Sequence, residues 1–164
     1  MTVNFKNYKE RFPLVELPIT LSEDSHHDFS TENDPLQAEM IQEYITRYEA
    51  VEIDDELTEY MACFEVPVEK KEFVAIVYWK AALLTYDYVL ATYNPKTGVM
   101  IDKKAIAGTK VVDNGVKRIA AIIKEDLSVF LAEGVEESGA EYDADASKVR
   151  HFQILDSGLI EQEY

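Results

Sequence analysis

Apolar residues along this chain change period once. From Leu36 to Tyr48, Leu36, Met40, Ile41, Tyr44, Ile45 and Tyr48 recur every three or four positions. That spacing gathers them on one face of an α-helix. Asn33 or Asp34 suits the N-cap and Pro35 the first turn, while Glu39 and Glu43 are left facing water. The apolar stripe must then be buried against something downstream.

After Thr58 the period becomes two. Tyr60, Ala62, Phe64 and Val66 alternate with Met61, Cys63 and Glu65 up to Val68, which predicts a strand. EFVAIVYWKAALLT (72–85) is apolar on both faces and predicts a central strand, or a long strand covered on both sides. YDYVLATYNPKTGVMIDKKAIAG (86–108) predicts a hairpin turning on Asn94 to Gly98. GVKRIAAIIKED and LSVFLAEG predict a second pair joined near Glu125 and Asp126, and SKVRHFQILDSGLIEQEY a third turning at Asp156 to Gly158. Ahead of the main helix, residues 4–11 predict a short helix ending before Pro13. LVELPITL predicts an extended or edge segment because of Pro18.

The fold class expected is α+β: a curved antiparallel meander of about seven strands, partly closed, with an N-terminal α-helix packed on its concave face or at one open end. Short connections favour antiparallel neighbours, since a parallel crossover needs a dozen or more residues. The organisation expected is a single domain over 1–164, with an extended and helical segment over 1–50 and the sheet over 58–164. Leu36, Met40, Ile45, Phe64, Ile76, Val77, Leu90, Ile122 and Phe152 are its expected core.

RFPLVELPITL, YVLATYNPKTGVMIDKKAIAG, IKEDLSVFL and HFQILDSGLI resemble a group of small bacterial proteins with an antiparallel β-meander and no established activity. The shared feature is hairpin chemistry: a strand, a turn with lysine and glycine, then I-D and I-A-G. The resemblance implies no catalytic residues.

Charge changes the picture more than motifs do. The net charge is −16. Between Glu16 and Glu69 stand sixteen acids and one base, Arg47, so that window alone carries −15. A nucleic-acid partner is therefore not expected, because phosphate binding needs a basic footprint. A basic protein would be steered toward such a face. Its candidate contacts are Glu39, Glu43, Asp54, Asp55 and Glu56.

No apolar run is long enough for a membrane helix, and MTVNFKNYKERFP has no apolar core of a signal peptide. One cysteine, Cys63, allows no internal disulfide. A cytoplasmic setting is the expectation that follows.

Candidate chemistry is sparse. His26 and His27 stand in LSEDSHHDFSTENDPLQAEM among Asp24, Asp28, Glu32 and Asp34, but adjacent residues in an extended chain point apart and the spacing matches no zinc or EF-hand pattern. The segment therefore reads as an exposed, metal-free loop over 22–33. Cys63 and His151 are a conceivable nucleophile and base, though Cys63 lies in a strand context that favours burial. Tyr78, Trp79, Tyr86, Tyr88 and Tyr93 fall on adjacent expected strands, either as cross-strand packing or as the lining of a cavity.

The function expected from these features is that of a non-enzymatic acidic binding protein of the inhibitor or immunity type, engaging a basic protein and using no cofactor. Two alternatives stay open: a small-molecule-binding β-cup or barrel lined by Tyr78, Tyr86 and Tyr88, and a hydrolase using His26, His27 and nearby acids.

Overall fold

The Asn94 carboxamide shows how local chemistry sets the register of the sheet. Its Oδ1 accepts from the Lys96 and Thr97 amides at 2.9 and 3.0 Å, and Gly98 closes the turn at φ +73°, a conformation that costs glycine little. The hairpin predicted over 86–108 forms around this turn. The computed structural model describes residues 3–49, 58–70, 72–113, 115–137 and 148–163.

The element order is α1 (Phe5–Lys9), β1 (Ile19–Leu21), α2 (Ser25–Glu32), α3 (Ala38–Tyr44), a 3₁₀ turn (Thr46–Tyr48), β2 (Glu59–Val66), β3 (Val74–Ala82), β4 (Thr85–Tyr93), β5 (Met100–Val112), β6 (Gly115–Ile123), β7 (Ser128–Glu137), β8 (Lys148–Ile154) and β9 (Ile160–Glu163). All pairings between these strands are antiparallel, and β2 to β9 follow one another in sequence order across the sheet. β5 pairs with β6 only from Gly108↔Ile119 to Val112↔Gly115. β1 takes the same edge of β6 further on, from Leu21↔Ala121 to Ile19↔Ile123. The sheet is not closed.

Two cores sit on opposite faces of β2–β4. Ala75, Val77, Tyr88 and Leu90 join Phe64, Ile106, Ile123, Leu131 and Phe152 in one core, where the later strands fold over. Val74, Ile76, Tyr78, Val89, Ala91 and Tyr93 join Tyr8, Phe12, Met40, Tyr44 and Ile45 in the other, under α1 and α3. This double cover explains why β3 reads as apolar on both faces. Trimming Phe64, fully buried, to Ala would cost about 3–5 kcal/mol.

Several expectations change. The sheet has nine strands among the described residues rather than about seven. The strand expected over 72–85 is β3, Val74–Ala82, and it ends early: Leu83 and Leu84 turn between Ala82↔Thr85, with Leu84 at φ 62°, and β4 begins at Thr85. A two-residue hairpin turn needs positive φ, but no Gly, Asn or Asp marks it here. The main helix is shorter than expected: Gln37 caps it without a side-chain bond, and Ile45, buried, leaves helical geometry at φ −123°. The chain then tightens into the 3₁₀ turn, whose Tyr48 hydroxyl accepts from the Met100 amide at 3.1 Å.

The expected loop over 22–33 contains α2, an exposed, polar helix anchored by Phe29 on Phe64 at 5.6 Å. With one apolar anchor it shows no helical period. α1 and α3 pack on the face of β2–β4 turned away from β6–β9. The expected core residues are buried, except Ile122, which is only half-buried. Its neighbours Ala121 and Ile123 point into the core instead. Among the described residues no helix is long and apolar enough to cross a membrane.

Candidate functional site

Strand parity sorts the aromatic residues. Trp79 faces Tyr88 across β3 and β4, and Tyr86 faces Ala81 one step along. Trp79, Tyr86 and Tyr88 thus share the face that the later strands cover, whereas Tyr78 and Tyr93 belong to the helix-covered face. The Trp79 and Tyr86 rings lie near parallel, 8° apart, with centroids at 5.9 Å.

The turn from β1 into α2 brings His26 over this pair. The Ser22 amide donates to Ser25 Oγ at 3.0 Å, which tightens the turn. His26 Nδ1–H donates to the Glu23 carbonyl at 2.9 Å, and its ring stacks on Trp79 at 4.8 Å. Gly108 lets β5 approach from below, because a Cβ there would overlap the Tyr86 carbonyl. The register shift of β4 against β5 falls beside it, between Tyr88 and Val89.

These elements enclose a half-open cleft of about 250 Å³ lined by Glu23, His26, Trp79, Tyr86, Tyr88 and Thr109, with Gly108 in its wall. Tyr88 is 1% exposed; its hydroxyl makes no well-formed hydrogen bond among the described residues, the His26 backbone amide offering it only a weak one. Leaving a buried hydroxyl unpaired is costly. Its pKa is raised above the ordinary phenol value, first by burial and then by Cys63; the His26 backbone opposes this, and Asp24 and Asp28 add to it. The phenol is therefore neutral at pH 7.

Two wider depressions elsewhere each hold an ion pair. That of about 380 Å³ holds the Lys9–Glu65 pair, and that of about 390 Å³ holds Arg11–Asp34.

The residues singled out from the sequence are scattered. Tyr86 and Tyr88 meet in the cleft; Tyr78 is fully buried on the opposite face and does not line it. Strand parity explains the separation: Tyr78 is one residue from Trp79. Trp79, one of the strand aromatics expected to pack or to line a cavity, joins Tyr86 and Tyr88, together with Glu23, Gly108 and Thr109, which the sequence does not mark. The alternation from Val77 to Trp79 is the signal that places the indole, but Glu23 and Thr109 carry no pattern of their own.

The acidic window is less bare than its composition. Glu43 meets Arg47 at 2.7 Å, and Glu49 meets Lys80 and Lys103 at 3.1 and 3.3 Å. Glu23 meets Arg118 at 2.9 Å. Most of these bases come from outside the window, so the fold partly neutralises it. Glu39 is exposed. Asp54, Asp55 and Glu56 lie outside the described residues.

His26 and His27 are neighbours on α2 with ring centroids 4.0 Å apart, His27 being exposed and His26 half-buried. Among the described residues, no group of three or more His, Cys, Asp or Glu is placed to hold a metal ion. Cys63 and His151 stand apart. Cys63 is buried in the core, which pushes its thiol pKa well up. His151 stacks on Phe130 at 4.2 Å on the other face of β7 and β8. No family model, curated protein or solved structure matches the chain.

Proposed function

We propose that this is a non-enzymatic binding protein whose ligand is a small molecule held in the Trp79–Tyr86–Tyr88 cleft. The observation behind it is the Tyr88 hydroxyl, buried and without a well-formed hydrogen bond at an aromatic-walled opening. Ligand sites typically combine apolar walls with a few placed polar groups, and a ligand bonded to Tyr88 would offset the cost of that poorly paired group.

Trp79 is the only tryptophan, so intrinsic fluorescence reports on the cleft directly. A library of flat and ring-bearing small molecules should contain compounds that both raise the melting temperature and change Trp79 emission, with the effect lost in Tyr86→Ala. A library in which no compound does both would sink this reading.

A basic protein is the second reading. Asp24, Asp28, Glu32 and Glu39 favour it, since they are exposed and form no ion pair among the described residues. Binding to a basic protein that survives Tyr86→Ala but weakens steeply with salt would support this partner in place of the small ligand.

A further inference from the structure

The charge around the cleft narrows the ligand further. Glu23 sits on its rim, and Asp24 and Asp28 follow on the exposed start of α2. Glu23 is engaged by Arg118 at 2.9 Å. The walls are the Tyr86 ring, in a residue 43% exposed, and the Trp79 indole, one face of which carries His26. Aromatic faces attract cations, tryptophan most strongly, and a net charge of −16 steers cations toward the protein.

We propose that the cleft takes a small organic ammonium ion carrying a flat apolar ring, an aryl-alkyl ammonium. This deepens the small-molecule reading and rests on it. The ring lies against Tyr86 and Trp79, the ammonium sits near Glu23, and one ammonium N–H donates to the Tyr88 oxygen. As a neutral phenol, Tyr88 keeps a lone pair for that bond.

Competing ligand classes fit less well. An aryl carboxylate would bring a negative charge toward Glu23, Asp24 and Asp28. A sugar needs a dense set of hydrogen-bond partners, whereas the polar side chains lining the cleft are those of Glu23, His26, Tyr88 and Thr109, with Glu23 already paired and His26 Nδ1 bonded to the Glu23 carbonyl.

The test uses three probes that share a phenyl ring on a short chain: phenethylammonium, 2-phenylethanol and 3-phenylpropionate. Each is titrated against the full-length protein at low salt, with Trp79 emission as the signal and calorimetry as the check. Phenethylammonium should saturate and bind about tenfold more tightly than the alcohol, and the carboxylate should give no saturable change. Added salt should weaken the ammonium and leave the alcohol unchanged. Tyr88→Phe should weaken the ammonium about fivefold.

If the alcohol binds as tightly as the ammonium, the cation assignment is overturned while the cleft stands as a ligand site. Preference for the carboxylate has the same meaning. An unchanged affinity in Tyr88→Phe overturns the placement of the ammonium on that hydroxyl. If none of the three titrates Trp79, the cation proposal fails outright, and the library screen above decides separately whether the cleft binds anything.

Discussion

The imidazole of His26 lies on the indole of Trp79, centroids 4.8 Å apart and planes within 1° of parallel. It is half-buried, while its neighbour His27 is exposed. Stacked aromatic pairs contribute about 0.5–1.5 kcal/mol beyond area burial. His26→Ala should therefore lower stability by about that amount in urea unfolding and shift Trp79 emission to the red as the indole meets water. His27→Ala should change stability by under about 0.5 kcal/mol and leave the emission in place. Equal effects from the two variants would rule out the stack as a stabilising contact.

Two buried tyrosines should respond oppositely to loss of their hydroxyls. The Tyr93 hydroxyl donates to the Tyr44 carbonyl at 2.7 Å and lies 3.1 Å from the Tyr8 hydroxyl. Tyr93→Phe leaves both partners short and should cost about 1–3 kcal/mol. Tyr88→Phe removes a hydroxyl that makes no well-formed hydrogen bond and should leave the melting temperature of the free protein unchanged or higher. A large loss of stability in Tyr88→Phe would show that the hydroxyl is already satisfied, and would remove the main support for a ligand at the cleft.

What the sequence made legible was set by periodicity. The hairpins at Asn94 and Asp156 and the core residues Phe64, Val77 and Leu90 follow from alternation and turn chemistry. The Leu83–Leu84 turn does not, because its positive φ falls on a residue type that rarely adopts it. α2 escaped notice because its contact with the core runs mainly through Phe29, too little for a helical period. Within the candidate site, Tyr86 and Tyr88 were legible as strand aromatics. Glu23 and Thr109 join them only because β1 inserts beside β6 and β5 shifts register near Gly108, relationships between residues far apart in the chain.

Asn33 illustrates the same limit and gives a third test. It was read as a helix N-cap, but it ends α2 instead. Its Nδ2 donates to the Ala62 and Cys63 carbonyls at 2.7 and 2.9 Å. Those carbonyls lie where β2 shifts register against β3, so one carboxamide satisfies the acceptors at a bulge on the edge strand. Asn33→Ala should cost about 1–3 kcal/mol. Asn33→Asp should cost more above the carboxylate pKa, since an anion then faces two carbonyls. If both variants unfold like the parent, the bulge does not depend on this bond.

Asp87 predicts how stability varies with pH. It lies on β4 opposite Lys80. Burial raises its pKa above the ordinary aspartate value, Lys80 and Lys110 oppose the rise, and Glu49 adds to it. Lys80 gives limited help because it is bonded to Glu49 at 3.1 Å. With the folded pKa above the unfolded one, the folded state holds more protons in the interval between them. Stability from this residue therefore falls as pH rises from the ordinary value of about 3.9 through the folded pKa, then levels off at higher pH. Asp87→Asn is isosteric and does not ionise. It should melt higher than the parent at pH 7, and the advantage should shrink toward zero as the pH approaches about 3.5. Melting curves of both proteins at closely spaced pH values check this. An advantage that grew on acidification would mean that Asp87 is stabilised as an anion by its lysines, and that desolvation is not the dominant force on it.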